Sequence, residues 1–450
     1  PFKTLANAVK QAAIDGIPKV LIMGDLTAAN GGSTTGGSAF DIDLSSVANN
    51  NKVTIASNVD GGTRTLRGTS PQRVLSITGG ANLVFENIDI TGGDTSGNGG
   101  GIYVAGNSKV NFSGNITGNT ARSGGGVYLE AGTGPSDFSS FTLTSGSAIA
   151  NNTAFGTGVP ASAFNVSAME GGGGVYIKGN ATFTLASGTI SGNTTKGSGG
   201  GVLVNGNVDG GTEYGLLMPT GGEITGNRST GDDYPHGGGG VYVAQGGFTM
   251  AGGKITGNTA TRQGGGVFVH WANSSTLTAR FTASGDSVIT GNKGVGSSKA
   301  ICNRGITELK GNTEADFVYI WDYDTAALPQ SFSLADHVQV TTGIAFARAN
   351  TASPNKNFIQ LMTGYDQTGI GENKQIVIDL ESHLEGGNYA GTLVDWIGQT
   401  VITGAHNILE DMNNNNRFIL GTFKGATTVS GLSNNYKIDV DDTKGKFVTK

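Results

Sequence analysis

One segment of the 450-residue chain groups the side chains that hydrolytic chemistry uses. Asp232, Asp233 and His236 lie within residues 231–237, which also contain a proline. Paired carboxylates can act as general acid and general base on a glycosidic bond, and histidine transfers protons near neutral pH. The segment nevertheless has the composition of a surface turn. We therefore expect a solvated loop here, and we assign no catalytic residue.

Metal sites and other catalytic motifs are poorly represented. The acidic clusters at residues 439–442 and 322–324 do not complete the spacing of a calcium-binding EF-hand loop. The five histidines are scattered, and no pair of them has the spacing of metal ligands. No nucleophile elbow and no phosphate-binding P-loop occurs. We predict no metal and no cofactor.

A series of aromatic residues forms the second candidate site. Each is the middle residue of a Val-Tyr-Val-like element, which suggests that it faces outward when the flanking residues face inward. The series is Tyr103, Tyr128, Tyr176, Tyr242 and Phe268, with Leu203 at the equivalent position of one further copy. Outward rings can stack on sugars or pack against a partner. The alternative, which we favour, is ring stacking between adjacent strands that only stabilises the sheet.

The elements that position these residues are repeated. Each unit reads Gly-Gly-Gly-Val-Tyr-Val, then a variable turn, Phe-Thr-Leu or Phe-Thr-Met, and finally Ile-Thr-Gly-Asn. The shortest spacings are 25 residues, from Gly101 to Gly126, and 26 residues, from Gly240 to Gly266. Such a period, with three short β-branched or aromatic runs per unit, is typical of a solenoid. We predict an all-β protein, a right-handed parallel β-helix with three sheets.

Alternation within each run predicts which side chains form the core. The first and third residues of the Val-Tyr-Val-like elements are Ile102 and Val104, Val127 and Leu129, Val175 and Ile177, Val202 and Val204, Val241 and Val243, and Val267 and Val269. The second side is formed by Phe141, Leu143, Phe183, Leu185, Phe248 and Met250, and the third by Ile116, Ile149, Ile190, Ile224, Ile255 and Ile289. One corner repeats Asn119, Asn152, Asn193, Asn227, Asn258 and Asn292, which stacked coils would align into an amide ladder.

The pattern divides the chain into three parts. Residues 1–98 are expected to form a short N-terminal helical cap and irregular first coils, and residues 99–300 the regular repeats. Residues 301–450 are expected to form degenerate late coils and a C-terminal cap, with a separate β-rich domain after about residue 315 as the alternative. Five insertions lengthen individual coils, at residues 130–140, 154–170, 205–216, 229–236 and 270–279. Loops on a rigid scaffold are where binding sites tend to lie.

The overall composition argues against several classes of partner. The net charge is −6 with 14% charged residues and no basic stripe, so we expect no binding to nucleic acid or to an anionic membrane. No run approaches the ~20 apolar residues of a membrane span. Cys302 is the only cysteine and is expected to be a buried structural thiol. The first residue is Pro1, from which we expect a processed or trimmed product.

The paired motifs resemble those of the polymorphic membrane proteins and autotransporter-passenger adhesins. These carry tandem Gly-Gly-Ala-Ile/Leu and Phe-x-x-Asn repeats on a parallel β-helix. Here the first motif reads Gly-Gly-Val at residues 125–127 and 265–267, and the second reads Phe-Ser-Gly-Asn at residues 112–115 and Ile-x-Gly-Asn elsewhere. The resemblance implies a bacterial adhesin displayed on a surface.

From these features we expect a non-enzymatic, secreted or cell-surface bacterial protein that acts in adhesion or as a structural assembly unit. Its partner would be a host or neighbouring-cell glycan or protein, or copies of itself. One alternative is a polysaccharide-active β-helix enzyme of the pectate-lyase-like or polygalacturonase-like kind. Another is a self-assembling extracellular filament subunit, since the ends of a β-helix expose strand edges.

Overall fold

The computed structural model describes residues 2–47, 51–58, 62–131, 138–144, 146–158, 168–206, 208–209, 212–270, 278–294, 299–322, 331–334 and 338–348. Beyond residue 348 it describes six further strands.

A single helix, α1 (Leu5–Asp15), closes the N-terminal end of the fold. The hydroxyl of Thr4 caps it by accepting a hydrogen bond from the backbone N–H of Asn7 at 3.2 Å, and Gly16 ends it with a φ of 68°. One face is buried against the first coil, comprising Leu5, Ala8, Val9, Ala12 and Ala13. The helical cap predicted from the sequence is confirmed.

The rest of the described chain is built from short strands. The early strands are β1 (Lys19–Ile22), β2 (Leu26–Thr27), β3 (Ser38–Asp43), β4 (Val53–Ser57), β5 (Arg64–Arg67), β6 (Arg73–Thr78), β7 (Asn82–Glu86) and β8 (Ile88–Thr91). The regular coils begin with β9 (Ile102–Val104), β10 (Lys109–Phe112), β11 (Asn115–Thr117), β12 (Thr120–Ala121), β13 (Val127–Glu130), β14 (Ser139–Leu143), β15 (Ala148–Ala150), β16 (Thr153–Ala154), β17 (Val175–Gly179), β18 (Ala181–Leu185), β19 (Thr189–Ser191) and β20 (Thr194–Thr195).

The regular coils continue with β21 (Val202–Gly206), β22 (Val208–Asp209), β23 (Thr212–Glu213), β24 (Gly215–Met218), β25 (Glu223–Thr225), β26 (Arg228–Ser229), β27 (Val241–Met250), β28 (Lys254–Thr256), β29 (Thr259–Ala260), β30 (Val267–Val269), β31 (Ala279–Ala283) and β32 (Val288–Thr290). The late strands are β33 (Ile301–Asn303), β34 (Ile306–Leu309), β35 (Glu314–Asp322), β36 (Ser331–Leu334), β37 (Gln339–Arg348), β38 (Ile359–Leu361), β39 (Ile376–Leu380), β40 (Val394–Trp396), β41 (Phe418–Phe423), β42 (Tyr436–Asp441) and β43 (Lys444–Thr449).

Equivalent strands of successive coils pair in parallel. The Val-Tyr-Val-like strands β9, β13, β17, β21, β27, β30 and β33 form one such column, with Ile102 opposite Val127 and Val127 opposite Val175. The Phe-Thr-Leu strands from β7 to β34 form the second column, and the Ile-Thr strands from β8 to β32 form the third. The parallel β-helix predicted from the sequence is confirmed.

The interior contains the residues that the alternation predicts. Every predicted inward residue of the three strand columns is buried and belongs to one continuous apolar core. At the asparagine corner, side-chain amides bond from coil to coil: Nδ2 of each residue donates to Oδ1 of the next at 2.9–3.0 Å, from Asn119 through to Asn292. The predicted amide ladder is therefore present over the regular coils.

A fourth, very short strand follows the asparagine corner in the regular coils. These two-residue strands, β12, β16, β20, β26 and β29, form a parallel sheet of their own. Their second residues are buried, although a two-residue run leaves no clear periodicity in the sequence. Five of the coils thus have a short fourth strand in addition to the three that the sequence predicts.

The parallel pairing continues after the regular repeats. Strand β35 pairs in parallel with β32 and β33 on one side and with β37 on the other, so the ladder crosses residue 315 without a break. Strands β39 and β41 extend the same column. The last two strands, β42 and β43, pair with each other as an antiparallel hairpin.

Candidate binding face along the aromatic column

The predicted series of rings is a continuous column on one sheet. The strand register places one member in each coil, in the order Tyr103, Tyr128, Tyr176, Leu203, Tyr242, Phe268, Cys302 and Tyr319. We call these eight residues the aromatic column. The ring centroids of Tyr128 and Tyr176 are 4.8 Å apart, as are those of Tyr242 and Phe268, and both pairs are stacked. Parallel strands ~4.8 Å apart impose this spacing on equivalent side chains.

The column points away from the main core, but most of it is buried. Tyr128 is 4% exposed and Tyr176 is 2% exposed, while Tyr242 and Phe268 are fully buried. Together with Met169 and others they form a second apolar cluster, against which the half-buried Tyr103 packs. An open ladder of outward rings was the basis of the predicted sugar-stacking site, and at these four positions that expectation is corrected. Inter-coil stacking, the alternative that we favoured, accounts for their packing.

All five insertions connect to one end or the other of the Val-Tyr-Val-like strands. Residues 130–140, 205–216 and 270–279 follow such a strand, whereas residues 154–170 and 229–236 precede one. The two positions alternate in successive coils. Neighbouring coils are only ~4.8 Å apart. Because the insertions alternate between the two ends of the strands, long loops at the same end are separated by two coils instead of one. The aromatic column thus lies along a face with insertions at both edges.

Met169, at the end of the second insertion, shows how a loop closes over the column. Its carbonyl oxygen accepts a hydrogen bond from the Tyr176 hydroxyl at 3.1 Å, and that hydroxyl also accepts one from Nδ2 of Asn205 at 3.1 Å. Burial raises the pKa of Tyr176 to about 12. The adjacent Glu170 forms an ion pair with Arg122 and accepts a hydrogen bond from the backbone of Gly158 at 2.7 Å.

The N-terminal end of the face is polar and partly accessible. The Tyr103 hydroxyl donates to Glu130 at 3.0 Å, and Glu130 forms an ion pair with Lys178 at 2.7 Å. The guanidinium of Arg73 lies 4.9 Å from the centre of the Tyr103 ring. Burial, followed by the charge of Glu130, raises the pKa of Tyr103 to about 12. An edge-accessible ring beside charged hydrogen-bonding groups suits recognition of a polyhydroxyl ligand or a polar protein surface.

The predicted Asp-Asp-His segment lies at the other end of this face. Asp232 and Asp233 are exposed, whereas His236 is 4% exposed. Gly237, at the end of this segment, lies against Phe268 of the column: a methyl group built at Gly237 would be 3.3 Å from Cδ2 of Phe268. Two candidate sites that were separate in the sequence are therefore adjacent in the fold.

Two residues near this segment, Arg304 and His270, were not predicted as site residues from the sequence. Arg304, 1% exposed, donates a hydrogen bond to the Tyr234 hydroxyl, and its guanidinium lies 5.2 Å from the centre of the Tyr234 ring. His270 is buried with its ring 5.9 Å from that of Tyr242. Contacts across 70 residues cannot be seen in local spacing. Aligning Ile-Cys-Asn at residues 301–303 with Val-Phe-Val would, however, have placed Arg304 at the end of the column.

The geometry does not assemble an aspartate–histidine pair. Among the residues that the structure describes, neither ring nitrogen of His236 has a hydrogen-bond partner. Burial lowers the pKa of His236, against the opposing effect of Asp233 and Asp232. The described residues also contain no group of three histidine, cysteine or acidic side chains placed to hold a metal ion.

Comparison with known proteins found no matching family model, no matching curated protein and no matching solved structure. Within the described part of the chain, no helix has the length and apolar character that crossing a membrane requires.

Proposed function

We propose that this chain is a non-enzymatic, secreted or cell-surface bacterial β-helix protein that acts in adhesion or assembly. In this proposal the insertions at the edges of the aromatic column contact the partner. The partner is a glycan or protein of a host or neighbouring cell. The sequence resemblance to surface adhesins supports the same reading.

One observation carries the proposal: the repeated residues are used in stacking the coils, and the variable ones converge on one face. The asparagine amides bond to each other, the aliphatic residues fill the core, and the rings pack in the column. The five insertions differ in length and sequence, yet all adjoin the same column of strands. Variable loops supported by a rigid scaffold are a common arrangement for recognition.

The experiment applies fluorescently labelled protein to a glycan array and to intact host and bacterial cells. Reducing ends and unsaturated sugars are measured in the same samples, with polygalacturonate included. We expect saturable binding to at least one surface and no released product. Product release that Asp232→Asn abolishes would instead establish the polysaccharide-active alternative, and absence of binding to every surface would contradict the proposal.

A specific feature of the N-terminal end favours self-assembly as a second candidate. Strand β1 pairs only with β4 among the described strands, and a groove of about 510 Å³ lies between α1 and β1. Phe2 and Met23, which line it, are 58% and 67% exposed. A free parallel edge beside apolar side chains is able to accept another strand. Electron microscopy of purified protein tests this: filaments support end-to-end assembly, and uniform short rods argue against it.

A further inference from the structure

The insertion at residues 229–236 leads directly into Gly237, which lies against the aromatic column. We call residues 230–237 the cover segment. Its last residue, Gly237, lies against Phe268, and Phe268 stands between Tyr242 and Cys302 in the column. All three column residues are fully buried, although they point away from the main core. Burial raises the pKa of Tyr242, with smaller opposing effects of Tyr234, which raises it further, and Arg304, which lowers it.

Both ends of the cover segment belong to the ladder of coils: the backbone N–H of Thr230 donates to the carbonyl oxygen of Thr195 at 2.8 Å, and the carbonyl oxygen of Gly237 accepts from the N–H of Gly199 at 2.9 Å. Between these ends, a few polar contacts hold the segment in place. Arg304 bonds to the Tyr234 hydroxyl from a later coil, and Nε of Arg262 donates to the carbonyl oxygen of Asp232 at 2.6 Å from the next coil. Within the segment, the backbone N–H of His236 donates to the carbonyl oxygen of Asp233 at 2.9 Å. Such a short, mostly polar closure can open without unfolding the coils.

His236 is the weak point of this closure. Its ring is buried, and no described residue bonds to either ring nitrogen. The ring packs against the backbone of Gly231, where an added methyl group would overlap it. A buried neutral imidazole without partners already costs free energy, and a buried imidazolium without partners costs far more.

The charged groups that face His236 set the direction of its titration. Asp233 and Asp232 on its own segment favour the imidazolium, and Arg262 on the next coil disfavours it. Burial is the largest effect, and the net result is a pKa below the ordinary 6.5. The open form therefore binds the proton more tightly than the closed form. Closure is most stable above pH 6.5 and weakens as the pH falls towards the lowered pKa.

We propose that the cover segment is an acid-opened lid: protonation of His236 releases residues 231–236 between the two anchored ends and exposes Phe268 with its neighbours Tyr242 and Cys302. The proton is the only co-reactant, and no covalent bond changes. This inference concerns the lid alone and holds whether or not the insertions bind a partner.

The chain contains its own reporter, because Cys302 is the only cysteine and lies in the column next to Phe268. Its modification by 4,4′-dithiodipyridine, which reacts under mildly acidic conditions, is followed at about pH 7.5 and about pH 5 and normalised to the denatured chain at each pH. We expect several-fold faster normalised modification at the lower pH, because the open form binds the proton more tightly than the closed form. Circular dichroism is recorded on the same samples.

Two histidine variants separate the lid from other acid effects. His236→Gln cannot be protonated and is expected to react equally at both pH values. His270→Phe keeps a ring beside Tyr242 and is expected to retain the acid response of the wild-type chain. The proposal is overturned if the wild type shows no acceleration, if the acceleration accompanies loss of the β-sheet signal, or if it persists in His236→Gln.

Deuterium exchange of the wild-type chain gives a readout that needs no variant. After correction for the intrinsic pH dependence of exchange, we expect extra uptake at about pH 5 in peptides covering residues 230–237 and little change in β26 and β27. Uptake spread evenly over the coils, or none at all, would contradict an acid-opened lid even if His236→Gln fails to fold.

Discussion

At the residue scale, the corner asparagines leave little room for a ligand. Oδ1 of Asn193 accepts hydrogen bonds from the backbone N–H and from Nδ2 of Asn152, at 2.9 and 3.0 Å. Its Nδ2 donates to the carbonyl oxygen of Ile149 and to Oδ1 of Asn227, both at 2.9 Å. The side-chain amide thus makes four bonds within the stack. Its role is to join coils.

Replacing one rung should therefore destabilise the stack. Asn193→Ala removes these bonds and leaves buried backbone and side-chain groups without partners, at a cost of about 1–3 kcal/mol for each unsatisfied group. We expect a clear decrease in the free energy of unfolding, measured by chemical denaturation. Asn111→Ala changes an exposed asparagine on β10 and serves as the matched control. Equal stability of the two variants would show that the ladder contributes little.

Buried tyrosines make a second residue-scale prediction, about alkaline pH. The pKa of Tyr103 and that of Tyr176 are both raised to about 12, chiefly by burial, from an ordinary 10. Because the neutral form is favoured in the folded state, their contribution to stability is complete below pH 10 and is lost as the pH rises towards 12. We expect phenolate absorbance to rise in two phases, the later one together with loss of β-sheet circular dichroism. A single phase centred near pH 10 in the folded protein would contradict the burial of the column.

At the element scale, the glycine-rich turn sets how closely coils approach. A methyl group at Gly125 would lie 2.5 Å from the carbonyl oxygen of Gly173 and 2.6 Å from that of Thr153, both backbone atoms. Neither atom can move without separating coils that are joined by hydrogen bonds. The preceding Gly124 has a φ of 63°, which side chains rarely adopt.

Gly125→Ala is accordingly expected to prevent tight stacking of the coils that contain β13 and β17. Soluble yield and thermal unfolding of the variant provide the measurement. Gly37→Ala is the matched control, since nothing lies within 4 Å of its added methyl group. Normal yield and unfolding temperature for Gly125→Ala would mean that the turn tolerates a side chain.

The repeated elements could be predicted from the sequence, but the structure of the segments between them could not. Period and alternation predicted the coils, the core and the asparagine ladder, because each depends on local spacing that recurs. The two-residue strands such as β12 were missed, since so short a run has no periodicity. Burial of Tyr242 and the contact between Tyr234 and Arg304 depend on how the chain folds back over the column, and no local rule describes that. The binding role of the loops stays a prediction.

At the scale of the whole molecule, the coils form a ladder in which each unit contacts only its neighbours. Long loops can then be added or removed one coil at a time, provided that the adjoining strands keep their register. The chain itself supplies the short closures: residues 105–108 join β9 to β10, with Gly106 and Asn107 between the equivalents of Glu130 and Ser139, and Asn180 alone joins β17 to β18. Strand β27 passes through the same corner without interruption.

The most direct test of a binding role for the insertions replaces three of them, those that follow the Val-Tyr-Val-like strands, by these native closures. Residues 131–138 become Gly-Asn, residues 207–213 become Asn, and residues 271–278 become Gln, as in the coils whose register they share. Binding to the surface that the wild-type chain recognises is measured beside thermal unfolding. If the insertions contact the partner, the trimmed chain should have an unfolding temperature within a few degrees of that of the wild type and should lose binding. Undiminished binding by a stable trimmed chain would contradict this, because the three insertions would then not contact the partner.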